Sequence, residues 1–275
     1  MLFVHRVAIE PMNTPNLPAS FYVKTGDGAY RPTEATIGPW SADLQHGGPP
    51  SALLTHALLQ HQPRAGMVLS RITIEIFGTI PLTPCEIQVE TVRAGKRIEL
   101  LKASYVSSGK TCMLAHAWRL ESAPDIAPVV AEPFVVPALP EAQTQGFFPG
   151  VDYFPYGHAL EWRYVQGGFD SLGPATVWAR SRIALVDDAP LQPLETLMLL
   201  IDSANGVSAE LDIRQWSFVP VDLSIGLHRQ PQGVWQGMAA RTVVQGHGIG
   251  QTTTTAFDET GSLGHSLHTL FVRPR

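Results

Sequence analysis

Several things are scarce in this chain of 275 residues: it has 2 cysteines, and only 16% of its residues are charged. Cys85 and Cys112 stand far apart, which excludes a disulfide framework and any zinc-type cysteine spacing, and fits a reducing compartment. There is no block of Lys or Arg, and the net charge is −5. Phosphate contacts need clustered cations, so nucleic acid is excluded as the main partner. Long apolar runs are missing as well. None approaches the roughly 20 residues of a membrane-crossing helix, and His5 and Arg6 interrupt the apolar residues at the start. A soluble, cytoplasmic protein without a membrane span is expected. No G-x-S-x-G exists, so a serine-triad hydrolase would lack its nucleophile elbow. His265 and His268 lie three apart on an expected strand, hence on opposite faces, which disfavours a metal pair. No metal or other cofactor is expected.

What the sequence does contain is apolar bulk, 44%, enough for one large core or two ordinary ones. It also contains one unusual stretch, from Gln45 through His46, Gly47, Gly48, Pro49 and Pro50 into Ser51–Gln60. The glycine pair permits close backbone approach, the prolines suit a first helical turn, and leucines and alanines then cover most sides of the helix. Such a start carries unpartnered amides at the positive end of the helix dipole, suited to an anion or to a developing oxyanion. Alone, the stretch reads as a tight turn into a core helix before it reads as a site.

Around it the chain repeats. Residues 1–20 read as a loose arm with Pro11, Pro15 and Pro18. Residues 21–121 read as strand, helix and four strands: Phe21–Val23, the helix, Val68–Ile80, Glu86–Arg93, Arg97–Ser107 and Thr111–Leu120. Alternation of Ile72, Ile74 and Ile76 with Arg71, Thr73 and Glu75 marks a half-buried strand. Residues 122–160 hold seven prolines, from Pro124 to Pro155, a density that blocks helix and central strand and reads as a linker. Residues 161–275 then repeat the order: Glu161–Gln166 and Thr176–Leu185 as strands, Leu194–Ser203 as an apolar helix stopped by Asn205-Gly206, then the alternating stretch Val221–His228 and strands Val234–Val244, Ile249–Asp258 and Leu263–Val272. The turn ending at Gly109 resembles the one ending at Gly261, and a histidine stands seven residues beyond each glycine, His116 and His268. A helix apolar on most sides must be covered on most sides, so each sheet is expected to wrap its helix.

This pattern resembles the double hotdog acyl-CoA thioesterases, the group similar to bacterial thioesterase II, over Phe21 to Val272. The resemblance implies an α+β fold of two tandem units, each with a long central helix wrapped by an antiparallel sheet. It also implies an acyl-CoA substrate cleaved to free acid and CoA. In hotdog thioesterases a His-Gly-Gly opens the helix and a backbone amide there polarises the thioester carbonyl, as His46-Gly47-Gly48 would. The acid expected two turns along is replaced by Thr55 in the first helix, while the second helix carries Asp202 without a glycine pair at its start. Family sites form across the unit interface, so one composite site is implied, Gly48 N–H with Asp202, and Asp202 acts as general base or as nucleophile.

The thioesterase II pattern adds a threonine and a glutamine. Register places Pro220 and His268 at those positions, the lost hydroxyl moving to Ser217 or Ser224, with His268 positioning water. His46, Gly47, Thr55 and Ser224 complete the expected substrate contacts. Asp202 follows Leu199-Leu200-Ile201 at a helix end, where burial and the dipole should raise its pKa toward a base's working range. Two other readings stand beside hydrolysis: an acyl-CoA-binding hotdog without turnover, motivated by Pro220 and His268, and an enoyl or hydroxyacyl thioester hydratase using a histidine and an acid. Exposed sheet edges make a homodimer of double hotdogs plausible.

Overall fold

The period-two pattern becomes sheet wherever one face can be buried. The computed structural model describes residues 17–131, 133–151 and 154–275, so most of the expected N-terminal arm lies outside the described residues. The first unit comprises β1 (Ser20–Gly26), β2 (Ala29–Pro32), α1 (Gly48–Gln60), β3 (Met67–Ile76), β4 (Cys85–Arg93), β5 (Ile98–Ser107) and β6 (Lys110–Glu121). Next come α2 (Pro155–Ala159), β7 (Leu160–Gln166), β8 (Ala175–Ser181), β9 (Ala184–Val186), α3 (Pro193–Ile201) and α4 (Ala204–Val207). The chain ends with β10 (Trp216–Pro220), β11 (Asp222–Leu227), β12 (Gln236–Gln245), β13 (Ile249–Asp258) and β14 (Gly261–Pro274).

The strand order shows the duplication directly. From β3 outward the first unit runs β3-β6-β5-β4-β2-β1; from β11 outward the second runs β11-β14-β13-β12-β8-β7. The two halves join where β3 and β11 pair antiparallel, with Thr73 opposite Ser224, into one 14-stranded sheet. On β3, Ile72 and Ile74 are buried under the helices while Arg71 and Glu75 are exposed. Helix α1 packs on β3, β4 and β5, α3 packs on β8 and β12, and the two helices pack on each other.

Four expectations change. The second helix is not long: α3 has 9 residues against 13 in α1. It ends before Asp202, its C-cap, and Asn205-Gly206 sits inside α4 rather than stopping α3. Thr176–Leu185 is broken into β8 and β9, and β9 pairs parallel with β1 of the other unit. The segment read as a linker ends in α2 and the first residue of β7.

The fourth change concerns the two histidines. The first hairpin closes with Ser107 opposite Lys110 and the second with Asp258 opposite Gly261. Lys110, not Gly109, is therefore the counterpart of Gly261. Each hairpin then carries one bulge, at Cys112 and at Leu263, where the register shifts. A one-residue offset reverses the facing of every later side chain, so His116 matches Leu267 and His268 matches Ala117. His116 stands opposite Thr73 and Lys102 on the outer face, while His268 is buried on the inner one. The duplication stands on the strand order; the histidine coincidence does not support it.

Candidate active site

Close approach of the two helices explains the glycine pair. A Cβ at Gly48 would lie 2.5 Å from the Leu199 carbonyl oxygen, and one at Gly47 would lie 2.7 and 2.8 Å from the two carboxylate oxygens of Asp202. Only glycine lets the start of α1 reach the end of α3 so closely. The loop before it is pinned by Gln45, whose amide accepts from the Tyr22 hydroxyl at 2.7 Å and donates to the Pro81 carbonyl at 2.7 Å and to Tyr105 at 2.8 Å. The His46 backbone N–H then donates to Thr36 at 2.8 Å.

Tyr156 secures the opposite wall. Its hydroxyl donates to the Leu199 carbonyl at 2.6 Å and lies 2.9 Å from Ser203 Oγ, capping α3. Its ring stacks on the His46 imidazole, with centroids 3.9 Å apart and planes 6° off parallel. Nothing in the sequence singled out Tyr156, because it sits among the prolines of the connecting segment and reaches the site only through folding.

Asp202 and His46 meet inside this frame, with Nδ1 3.1 Å from Asp202 Oδ2 and also 3.1 Å from the Gly48 amide nitrogen. Burial pushes the Asp202 carboxyl up to about 7, partly offset by the Gly48 amide, and burial pushes His46 down to about 3. Both shifts disfavour charge, so near neutral pH this is a hydrogen-bonded pair with an uncharged imidazole rather than an ion pair. Nδ1 holds either a proton, offered to an ionised Asp202, or a lone pair, offered to a protonated Asp202 and to the Gly48 N–H. Asp202 Oδ1 is buried with no hydrogen-bond partner among the described residues. Within the described residues the Gly47 amide has no partner either, whereas the Gly48 amide is engaged.

His46, Gly47 and Asp202 line a cavity of about 390 Å³. Its apolar walls come from Trp40, Ile76, Phe148, Phe169 and Val219, and Pro220 stands on the wall without a donor to offer. Ser203 and Asn205 add polar groups close to Asp202.

The other expected residues lie elsewhere. Thr55 is buried in α1, its hydroxyl donating to the Ser51 carbonyl at 2.9 Å, and it is not on the cavity wall. Ser224 bonds Thr73 across the joint between units at 2.9 Å and borders a different depression, with Arg71 and Arg241 on the outer face of the sheet. Strand alternation separates it from the cavity side. Ser217, in β10, is also off the wall. His268 lies opposite Thr252, fully buried, both ring nitrogens without a partner among the described residues, and apart from the residues lining the cavity. Burial holds its pKa down at about 4. The described residues contain no group of His, Cys, Asp and Glu that could hold a metal, and no helix long and apolar enough to cross a membrane.

Two sheets joined edge to edge around an antiparallel helix pair define the class: a protein of hotdog fold built from two units. Three solved structures share the fold at low identity. A conserved protein with hot dog fold from Alicyclobacillus acidocaldarius superposes with a TM-score of 0.68 at 16% identity, covering 94% of this chain and 96% of its own. The acyl-CoA thioesterase II TesB2 of Mycobacterium marinum gives 0.62 at 15%, covering 92% and 95%. The tesB protein of Mycobacterium avium subsp. paratuberculosis gives 0.62 at 15%, covering 92% and 96%. No curated protein sequence matches the chain. Family models are decisive: residues 36–120 match the acyl-CoA thioesterase N-terminal domain and residues 134–272 the acyl-CoA thioesterase C-terminal domain. The chain belongs to the acyl-CoA thioesterase family and is a thioester hydrolase.

Proposed function

We propose that the chain hydrolyses an acyl-CoA thioester at a single site between its two units, where the start of α1 meets the end of α3. The observation that carries this reading is the closeness of Gly47 to both Asp202 carboxylate oxygens, 2.7 and 2.8 Å from a Cβ placed there, at the wall of an apolar cavity. The thioester carbonyl oxygen is held by the glycine turn. The Gly47 amide serves here rather than the expected Gly48 amide, because Gly48 is occupied by His46 and Asp202. As general base, Asp202 takes a proton from the water whose oxygen adds to the carbonyl carbon and returns it to the departing CoA thiolate. As nucleophile, its carboxylate adds to that carbon, the CoA thiolate leaves an acyl-aspartyl anhydride, and water then cleaves the anhydride to free acid, its proton going to the thiolate. His46 passes its Nδ1 proton toward Asp202 or withdraws it, which keeps the carboxylate poised without a second charge in the cavity. Asn205 orients the water, a role expected of His268 but supported for Asn205 by its place on the wall beside Asp202.

The test is release of free thiol from butyryl-, octanoyl-, palmitoyl- and benzoyl-CoA. Activity in the wild type that vanishes in Asp202→Asn supports the reading; full activity in that variant overturns it. The His46–Asp202 contact also meets the needs of a hydratase. Loss of enoyl-CoA absorbance without thiol release is the signature of that second reaction.

A further inference from the structure

Part of the cavity wall is formed by two rings that belong to no helix or strand. Phe148 comes from the connecting segment, and Phe169 from the loop between β7 and β8. Their centroids are 5.0 Å apart at 63°, an edge-on contact, and both are buried. Both also line a second cavity, of about 200 Å³, where Ala209, Leu211 and Ile213 form the apolar part of the wall and Asp170, Asp212 and Arg214 the charged part. The two spaces share these two side chains as a common wall.

The rings are placed with care. Gly206, four residues after Asp202, is a glycine where a Cβ would lie 3.2 Å from Phe148 Cζ and 3.2 Å from Phe169 Cε1. The Phe169 loop turns through Gly167, Gly168 and Gly173, all at positive φ. The segment carrying Phe148 is docked by two glutamines that copy strand pairing along β7. Gln145 accepts from the Trp162 N–H at 3.0 Å and donates to the Trp162 carbonyl at 2.9 Å. Gln143 does the same with Tyr164 at 2.7 and 2.9 Å. These bonds also cover an otherwise open sheet edge. Phe148 further contacts Trp40, with centroids 6.3 Å apart, so the partition is tied to the loop leading into His46.

We propose that Phe148 and Phe169 are the specificity-determining residues for acyl length, a partition that ends the acyl pocket and keeps the second cavity out of use. This rests on the reading of the site given above. The substrates favoured are compact apolar acyl groups that fill the first cavity and stop against the rings. Removing either ring joins the two spaces into one deeper pocket.

The experiment compares kcat/KM along straight-chain acyl-CoAs from butyryl to palmitoyl for the wild type, Phe148→Ala, Phe169→Ala and Phe148→Ala combined with Ala209→Phe, with thermal unfolding to establish that each is folded. Each methylene entering the second cavity is worth about fourfold in binding, so the ratio of long-chain to short-chain kcat/KM should rise at least tenfold in the single variants. Refilling the second cavity through Ala209→Phe should return the ratio toward the wild type. Binding of non-hydrolysable acyl-CoA thioethers provides a readout without turnover and should shift the same way. A folded Phe148→Ala or Phe169→Ala protein with an unchanged chain-length profile overturns the partition. A wild type that cleaves none of the series overturns the reading of the site instead, so the two failures are distinguishable. If one variant does not fold, the other decides.

Discussion

The helix pair α1 and α3 crosses antiparallel, so the start of each meets the other, and the two crossings have diverged. At one, Gly47 and Gly48 bring bare backbone against Asp202, whose Oδ1 is left without a partner among the described residues. At the other, α3 begins with Gln192 and Pro193. Its opening is closed by a capping box in which Glu195 accepts from the Gln192 N–H at 2.8 Å, and the same carboxylate lies 2.8 Å from His56 Nδ1 on α1. There both oxygens of the carboxylate have partners, and the helix opens with Gln192 and Pro193 rather than with glycine. One crossing of the duplicated pair therefore holds a buried carboxylate oxygen without a partner among the described residues, while the other pairs its carboxylate at both oxygens. Buried polar atoms without partners cost about 1–3 kcal/mol each, a cost the satisfied crossing helps offset.

The largest expected effect is at the open crossing. Asp202→Asn should lower kcat/KM by about 10²–10⁴. Because the folded-state pKa of about 7 lies above the ordinary aspartate value of 3.8, the folded protein holds an extra proton between them, and unfolding free energy falls as pH rises through that window. Asp202→Asn removes this loss. Its melting temperature relative to the wild type should climb from pH 4 to pH 8, with a ceiling of roughly 4 kcal/mol at the alkaline end.

Gly47→Ala should cost about 10²–10³ in kcat, since the added carbon displaces Asp202 and disturbs the carbonyl-binding turn. A Gly47→Ala enzyme with normal kcat would show that the close contact is packing alone.

The closed crossing should respond in stability instead. His56→Ala leaves Glu195 Oε1 buried without its partner while Oε2 keeps the Gln192 N–H, and should destabilise by roughly 1–3 kcal/mol, measured by urea unfolding, while kcat of the folded fraction changes little. A His56→Ala enzyme that loses turnover but not stability would erase the distinction between the crossings.

The pH profile separates them again. Wild-type kcat/KM should fall tenfold per unit below pH 7 and level off above it, as expected for a base of pKa about 7, and His56→Ala should not move that midpoint. Smallest are Thr55→Val and Ser224→Ala, each expected within about twofold of wild-type kcat/KM, since one hydroxyl bonds its own helix and the other lies on the outer face.

Much of this was legible beforehand, for local reasons. Period-two alternation located β3 and β11, turn residues bounded β5 and β13, and a short apolar helix after a glycine pair was readable as a helix start. Pairing that start with Asp202 came from the resemblance to double hotdog thioesterases, which implies a site across the two units, together with Thr55 where the first helix would carry its acid. Not legible were β2 and β10, short strands whose partners supply the pairing, and the one-residue register that turns His268 inward and His116 outward. That register depends on which residues close each hairpin: Ser108 and Gly109 at φ 50° and 72° form a two-residue turn, and counting from Gly109 alone misses it.

By itself the sequence determined the two-unit plan, the helix start after the glycine pair and the acid that follows the second apolar helix. These depend on residue type and on spacing within one element, which the chain carries wherever it goes. The tertiary structure decided that Gly47 would lie against the Asp202 carboxylate, that Tyr156 would cap α3 and stack on His46, and that two phenylalanines from irregular segments would line the same cavity as His46 and Asp202. Those facts rest on contacts between residues far apart in the chain. Their geometry is fixed by how two helices and a continuous sheet pack at near-crystalline density, where a shift of one residue or one ångström exchanges a partner for a clash.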